Sequence, residues 1–216
     1  MEHRRIAIDE PRLRLSQVVP CTEAEGPGRR FAVWFQGCPL RCPGCCNPEM
    51  LPFEGGWEAE VKVIAGQVAQ ASNSLGIEGI TLLGGEPTAQ AAGASALARR
   101  VRAMGLSVMV FSGFTLDEIR ASTDPNALDL LAQTDLLVDG PYLRDRPESR
   151  RRWIGSSNQQ VHALTDRYRV EDPCWSRPNT LELRLVGGEL TVNGFPASSA
   201  IGIWRRPRET RPTEFS

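Results

Sequence analysis

Lysine occurs once in these 216 residues, at Lys62, and histidine only twice. Arginine carries nearly all the positive charge, which marks a composition bias in the coding sequence and not a binding surface. Acidic and basic residues almost cancel, leaving a formal net charge of −1. Nothing in that balance calls for a nucleic-acid partner or an anionic membrane. The two Arg-rich stretches, Arg144–Arg152 and Arg205–Arg211, are interrupted by Pro and Glu and read as a solvated loop and tail. Apolar runs of membrane-spanning length are lacking. The opening Met-Glu-His-Arg-Arg is not followed by an apolar signal segment. The expected location is therefore the cytoplasm, where thiols stay reduced. The six cysteines are expected as metal ligands or free thiols and not as disulfides.

What is present is a globular composition, 41% hydrophobic and 24% charged, sufficient for one domain with a proper core. Leu13–Val19 is a strand candidate, Glu25–Arg29 a Gly/Pro loop, and Phe31–Phe35 an apolar run of buried-strand length. Trp57–Ala71 has helical periodicity, with Val61, Ile64 and Val68 on one face. Ile80–Leu83 is a strand, and Gln90–Met104 a helix with Leu97, Val101 and Met104 along one stripe and Gly105 as its stop. Ser107–Phe111 is a buried strand. Thr115 and Glu118 have capping-box spacing, and Asp124-Pro125 opens a helix with Leu128 and Leu131 on its apolar side. Asp135–Val138 is a further strand. Strands alternating with helices predict parallel βα units, too few for a closed eight-fold barrel. The expected fold is α/β, a partial open (β/α) barrel of parallel strands. A C-terminal antiparallel hairpin, Leu181–Val186 and Glu189–Val192 turning at Gly187-Gly188, is appended to it.

Chemistry concentrates after the second strand, in Gly37-Cys38-Pro-Leu-Arg-Cys42-Pro-Gly-Cys45-Cys46-Asn47. Thiolates are the usual ligands of iron–sulfur clusters. A short C-x3-C-x2-C loop can wrap a cubane so that three irons each take one sulfur and the fourth stays free for a substrate. A structural zinc is the alternative, and it wants four ligands, commonly as two separated pairs. Cys46 is adjacent to Cys45, which makes convergence on one tetrahedral ion awkward, and Cys21 is a distant fourth candidate. Chance clustering also remains open at this point.

A second segment, Leu83-Gly84-Gly85-Glu86-Pro87, follows a strand and precedes a helix. Paired glycines admit close backbone approach, and the carboxylate beside them can accept from an ammonium group. Taken alone, the pair reads equally as a connecting turn. Its weight comes from lying one βα unit after the cysteines, since residues at strand C-termini of βα barrels face a common site.

With these residues in place, the chain resembles the radical S-adenosylmethionine (SAM) superfamily. It is most similar to the activating proteins of anaerobic, glycyl-radical ribonucleoside-triphosphate reductases. The matching segments are Glu25–Arg29, Gln36–Asn47, Gly84–Pro87, Phe111–Thr115, Leu137–Tyr142 and Gly155–Gln159. Two departures stand out: Cys46 replaces the usual aromatic after the third cysteine, and the chain continues well beyond Gln159, through Asn193-Gly-Phe-Pro196. The organisation expected is a radical SAM domain over residues 1–165 with an extension over 166–216 packed on it.

The resemblance implies that Cys38, Cys42 and Cys45 hold a [4Fe–4S] cluster whose open iron binds SAM. Gly84, Gly85 and Glu86 would receive the methionine end, with Glu86 near the ammonium, and Gly44, Cys45 and Cys46 would lie against the adenosyl part. One-electron reduction would cleave SAM to a 5′-deoxyadenosyl radical that takes hydrogen from a glycine of a glycyl-radical enzyme. A one-electron donor such as flavodoxin would supply the reducing equivalent. No general base is required, so the scarcity of histidine is no objection. Cys21, Cys46 and Cys174 are expected not to be ligands. Ser112, Asp139 and Asn158 shape the pocket or cap neighbouring helices. Two alternatives accompany this expectation: a radical SAM enzyme acting on a peptide or small molecule, and a zinc-stabilised interaction module.

Overall fold

A computed structural model describes residues 10–186 and 189–194. The N-terminal Met-Glu-His-Arg-Arg, the Gly187-Gly188 turn, Phe195-Pro196 and the Arg205–Arg211 tail lie outside these residues. Seven strands form one mixed sheet in the order β3-β1-β2-β4-β5-β6-β7. The middle four, β2 (Arg30–Phe35), β4 (Gly79–Gly84), β5 (Ser107–Phe111) and β6 (Leu136–Asp139), run parallel. β1 (Arg12–Thr22), β3 (Trp57–Glu60) and β7 (Gln160–Ala163) pair antiparallel at the two sides. The two edges do not meet, so the sheet is a partial, open barrel. A separate hairpin, β8 (Leu181–Val186) with β9 (Glu189–Gly194), completes the expected architecture.

Strict alternation along the parallel strands sorts the core into two faces. Phe31, Val33, Phe35, Ile80, Leu82, Val108, Val110 and Leu137 pack outward against helices α1 (Val61–Leu75) and α2 (Ala91–Ala103). The helices supply Ile64, Val68, Leu97 and Val101 to that layer. On the inner face Trp34 and Leu83 pack with Met50, while Met109, Leu136 and Val138 pack with Trp153, Ile154 and Trp175. Few helices cover the inner face, and the loops after the strands fill it instead.

Several local expectations change on folding. Trp57–Glu60 is strand and not helix, because it zips onto Arg12–Leu15, with Glu58 bonded to Arg12 at 3.2 Å and Arg14 at 2.5 Å. The helix begins only at Val61 and ends at Gly76, which is left-handed at φ 61°. Met104 is exposed, since the chain has already left the α2 axis at Ala103 and turns away through Gly105. In helix α4 (Pro125–Ala132) Ala127 and Leu130 are buried and Leu131 packs half-buried against the core as expected, whereas Leu128 is exposed. The phase of that helix is set by its start, where the Asp124 carboxylate caps Asn126 N–H at 2.8 Å. The predicted capping box of helix α3 (Leu116–Arg120) forms in full between Thr115 and Glu118. Strand β7 is additional to the expected elements; its four residues alternate too briefly to mark a strand, and it is held by its register with β6, with Val161 and Ala163 against the inner-face core.

The hairpin attaches at the end of the barrel where β2 begins. Its polar face is turned inward: Arg184 bonds the Cys21 carbonyl, Asn193 Nδ2 donates to Thr22 Oγ1 at 2.8 Å, and Gly194 N–H donates to Glu25 Oε1 at 2.6 Å. Leu183, Leu185 and Leu190 are exposed on the other face. Glu25 is buried beneath this contact, and burial pushes its carboxyl up to about 8 against the pull of the Gly194 and Asn193 donors. The folded state therefore holds a proton there that the unfolded chain releases near pH 4.5. Stability contributed by this group is full below that pH and is lost as pH rises toward about 8. Glu25→Gln keeps an acceptor for Gly194 and removes the titration. Thermal denaturation from pH 5 to 8 is expected to show a flatter pH slope in the variant. At pH 8 its midpoint should be higher by several degrees, since about 1 kcal/mol moves the midpoint by roughly 2–4 °C in a chain of this size.

Candidate active site

The parallel strands β2, β4, β5 and β6 all end on one side, and the loops that follow them line a single cavity. Cys38, Leu40, Cys42, Cys45, Cys46 and Asn47 come from the loop after β2, and Gly84, Gly85 and Glu86 from the end of β4. Ser112 and Gly113 follow β5, Gly140 and Tyr142 follow β6, and Trp153, Gly155 and Gln159 close the wall. All the residues expected to bind the cluster or SAM except Gly44 thus line one space. Gly44, on the same loop, has φ 76°, and a Cβ there would sit 2.8 Å from the Arg144 side chain.

The cysteine loop is anchored at its base. Gly37 N–H donates to Met50 O at 2.9 Å and Cys38 N–H to Leu51 O at 3.0 Å, joining the outgoing and returning legs. Gln36 clamps the returning leg through Nε2, which donates to Glu49 O at 3.1 Å and Pro52 O at 2.7 Å. Gln90 Nε2 holds the Gln36 carbonyl at 2.8 Å. Cys38 is buried, and burial raises its thiol above the ordinary range although the Leu40 and Arg41 N–H groups oppose this. Cys45 is pulled down to about 6, chiefly by a hydrogen bond from the neighbouring Cys46 thiol. Cys46 lines the cavity beside it, whereas Cys21 and Cys174 do not. What the cysteines share is a cavity and not a point: among the described residues no three Cys, His, Asp or Glu side chains converge closely enough to hold one metal ion.

The glycine pair has a structural cause. Gly85 N–H donates to Phe35 O at 2.8 Å and Glu86 N–H to Gly37 O at 2.9 Å, so the β4 exit lies flat on the base of the cysteine loop. Gly84 has φ 99°, and a Cβ there would meet Trp34 Cβ at 2.8 Å. Glu86 is almost wholly buried, and its carboxylate accepts four hydrogen bonds from the protein itself. Oε1 takes Thr88 N–H at 3.0 Å, Thr88 Oγ1–H at 2.7 Å and Ser112 Oγ–H at 3.0 Å, and Oε2 takes Gly113 N–H at 2.8 Å. Burial raises its carboxyl, and the donors from Gly113, Thr88 and Ser112 counter that. Glu86 therefore ties the loop after β4 to the loop after β5.

Ser112 serves that tie and accepts from Phe114 N–H at 3.1 Å. Asp139 accepts Leu116 N–H at 2.6 Å, at the start of α3, and stands 3.0 Å from His162 Nε2. Both are therefore joints between loops. Asn158 and Gln159 stitch two of the quoted motifs together: Asn158 Nδ2 donates to Pro141 O at 2.8 Å and Gln159 Nε2 to Gly140 O at 3.0 Å. Gln159 Oε1 accepts from Gly155 N–H at 3.0 Å and Ser156 N–H at 3.1 Å. Trp153 is the wall residue with no local signal in the sequence, because its place depends on contacts with residues more than twenty positions later.

The family model for the 4Fe–4S single cluster domain matches residues 24–162. The anaerobic ribonucleoside-triphosphate reductase-activating protein of Salmonella typhimurium is 33% identical over 160 residues, covering 70% of this chain and 99% of that protein. The protein of the same name from Enterobacteria phage T4 is 27% identical over 158 residues, covering 71% and 96%. A putative glycyl-radical enzyme activating enzyme of Haemophilus influenzae is 30% identical over 159 residues, covering 72% of this chain and 59% of that protein. This chain belongs to the radical SAM family of 4Fe–4S single-cluster domains, closely related to the glycyl-radical-enzyme activating proteins. Radical-SAM-type enzymatic activity follows at the level of that superfamily, which leaves the zinc-stabilised interaction module without support. No helix among the described residues is long and apolar enough to cross a membrane.

Proposed function

We propose that this chain activates a glycyl-radical enzyme, with Cys38, Cys42 and Cys45 holding a [4Fe–4S] cluster and SAM bound at its remaining iron. The observation that carries this is the shared cavity: three thiols on one anchored loop face Gly84, Gly85 and Glu86 across the C-terminal ends of parallel strands. Sulfur donors of this kind suit iron–sulfur ligation. When bound, the cluster and SAM supply reductive cleavage of the S–C5′ bond and abstraction of a hydrogen atom, here from a glycine Cα of the partner. The protein's own residues bind, orient and exclude water. Gly84 and Gly85 present backbone without side chains, and Trp153 and Tyr142 close the cavity wall; Gly44, Cys45 and Cys46 would border the adenosyl part. A flavodoxin-like donor is the proposed electron source. The described hairpin touches Cys21–Glu25 at the far end of β2, so it leaves the cysteine side of the cavity free for a partner's glycine loop.

The test mixes reduced protein, SAM and a glycyl-radical ribonucleotide reductase from the same organism, without oxygen, and records electron paramagnetic resonance. A glycyl radical on the reductase is expected. SAM turnover on a peptide or metabolite with no such radical would replace this function by the small-substrate alternative.

Glu86→Gln probes the SAM end. The amide must turn its NH2 toward at least one N–H that the carboxylate now satisfies, at a cost of about 1–3 kcal/mol in stability. Removal of the negative charge facing the ammonium is expected to weaken SAM binding by about tenfold or more. Iron content should be retained. Equilibrium dialysis with labelled SAM and iron analysis on the same preparation check both parts.

A further inference from the structure

Arg144–Arg152 has the composition of a solvated loop, yet its first arginine lies on the cysteine loop. The Arg144 stem covers Gly44, where an added Cβ would stand 2.8 Å from Cδ and 3.4 Å from Cγ. Pro43, Tyr142, Leu143, Arg144 and Asp145 line a recess of about 440 Å³ at this junction. Tyr142 also lines the cysteine cavity, so the two spaces adjoin across that residue. Pro43 stands between Cys42 and Cys45, which are half-buried, whereas Cys38 is buried. A body seated in the recess therefore rests on the segment that joins the two less buried thiols. The wall is held in place by the protein itself. Leu143 N–H donates to Ser156 Oγ at 3.1 Å, Arg146 N–H to Leu143 O at 3.0 Å and Ser157 N–H to Arg146 O at 2.7 Å.

Charge distinguishes this face. Many exposed arginines elsewhere hold carboxylates, as Arg14 does Glu58, Arg99 does Asp129 and Arg100 does Glu10. Arg41, Arg144, Arg146 and Arg150 are exposed and make no ion pair or side-chain hydrogen bond among the described residues. Residues 39–45 and 142–151 together hold five arginines and two carboxylates, and of these Glu148 is taken up by Arg151 at 2.6 Å. Asp145 is left at the recess, while Glu49 and Glu54 belong to the returning leg of the cysteine loop, which Gln36 holds. In a chain of net charge −1 this is a local excess of positive charge around a partly apolar floor. Such a surface is complementary to an acidic protein face.

We infer that this recess and its arginines dock the one-electron donor, an acidic redox protein, with Arg41, Arg144 and Arg146 meeting its carboxylates. The inference rests on the proposed cluster at Cys38, Cys42 and Cys45. One electron leaves the donor's reduced flavin and reduces the oxidised cluster; no bond forms or breaks. A protein that gives up a hydrogen atom has to reach into the cavity. An electron donor needs only to come close to the thiols from outside, which is what the recess permits.

The probe is flavodoxin from the same organism, and the proteins are anaerobically reconstituted wild type, Arg144→Glu, Arg146→Glu and Arg169→Glu. Arg169 is exposed and unpaired and follows Tyr168, which bonds Arg30 at the start of β2, so it controls for net charge away from the recess. Flavodoxin affinity is measured by titration calorimetry with both proteins oxidised, and iron per chain on the same preparations. Arg144→Glu and Arg146→Glu should each bind about tenfold more weakly at low salt, and Arg169→Glu as wild type does. Wild-type binding should weaken between about 0.01 M and 0.15 M ionic strength, as the screening length shrinks from about 30 Å to about 8 Å. SAM cleavage driven by dithionite should be unchanged in every variant. Weaker binding in either recess variant at retained iron supports the inference; if Arg144→Glu loses iron, Arg146→Glu decides. Wild-type affinity in both, equal loss in Arg169→Glu, or a wild type that flavodoxin does not bind overturns the inference and leaves the proposed function standing. A glycyl radical on the reductase that is lost in the recess variants under dithionite assigns the face to the reductase and overturns the inference as well. A wild type that takes up no cluster overturns the proposed function and this inference together.

Discussion

Cys42→Ala is expected to take iron from about four per chain, the content of a cubane, to near zero after anaerobic reconstitution. Reductive SAM cleavage should fall to background with it. The loop from Gly37 to Asn47 is short, and its base is fixed by the Met50 and Leu51 carbonyls, so no other thiol on it can shift to replace the middle ligand. Cys46 shares the cavity, but it follows Cys45 directly and cannot serve a different iron without displacing it. Cys21 and Cys174 lie outside the cavity. Ala at Cys21, Cys46 or Cys174 should therefore leave iron content unchanged, which separates loss of a ligand from general loss of thiols. Metal analysis, with chromatographic measurement of 5′-deoxyadenosine, reads both parts. Full activity in Cys42→Ala would end the assignment of the cluster to these cysteines.

Gly85→Ala should be almost as damaging, for a reason that involves no ligand. A Cβ at position 85 would overlap the Gly37 carbonyl, with its carbon at 2.9 Å and Phe35 O at 3.0 Å. These are backbone atoms and cannot swing aside as a long side chain would. Relief requires the β4 exit and the cysteine loop to separate, which stretches the Gly85–Phe35 and Glu86–Gly37 hydrogen bonds. The cost is expected near 3 kcal/mol, the upper part of the range for overpacking. Chemical denaturation measures it. Reconstituted iron should drop as well, because Gly37 directly precedes Cys38, the first of the proposed ligands. Wild-type stability would show that the two loops are less tightly joined than the hydrogen bonds imply.

The parallel strands and the two long helices were legible because burial on both faces, or on one stripe, leaves an unbroken or a 3.6-residue apolar pattern in the chain. The capping box at Thr115 and Glu118 was legible for a similar reason, since both partners lie within one turn. Trp57–Glu60 was misread because a four-residue edge strand has no period of its own, and its helix-like composition was overridden by pairing with Arg12–Leu15. β7 was missed on the same ground. Arg30 was also invisible: it is fully buried in the barrel, where its guanidinium bonds Ile80 O, Thr81 Oγ1 at 3.1 Å, Ser107 Oγ at 2.7 Å and Tyr168 OH at 3.0 Å. An arginine followed by an apolar run looks the same in sequence whether it begins the strand in solvent or in the core.

The sequence by itself determined where three thiols stand at short spacing, where the glycine pair and carboxylate follow one unit later, and the family to which the chain belongs. Such motifs are local because a cluster-binding loop must be short, so their spacing survives in one dimension. Only the tertiary structure decided that Glu86 is engaged by four donors from two loops, that the hairpin sits at the far end of β2, and that Trp153 forms a wall of the cavity. These depend on groups brought together across 22 to 171 positions, as in Trp153 with Trp175 and Asn193 with Thr22. Contacts at such separations are paid for in chain entropy and fixed by the sheet as a whole. No window of the sequence contains them.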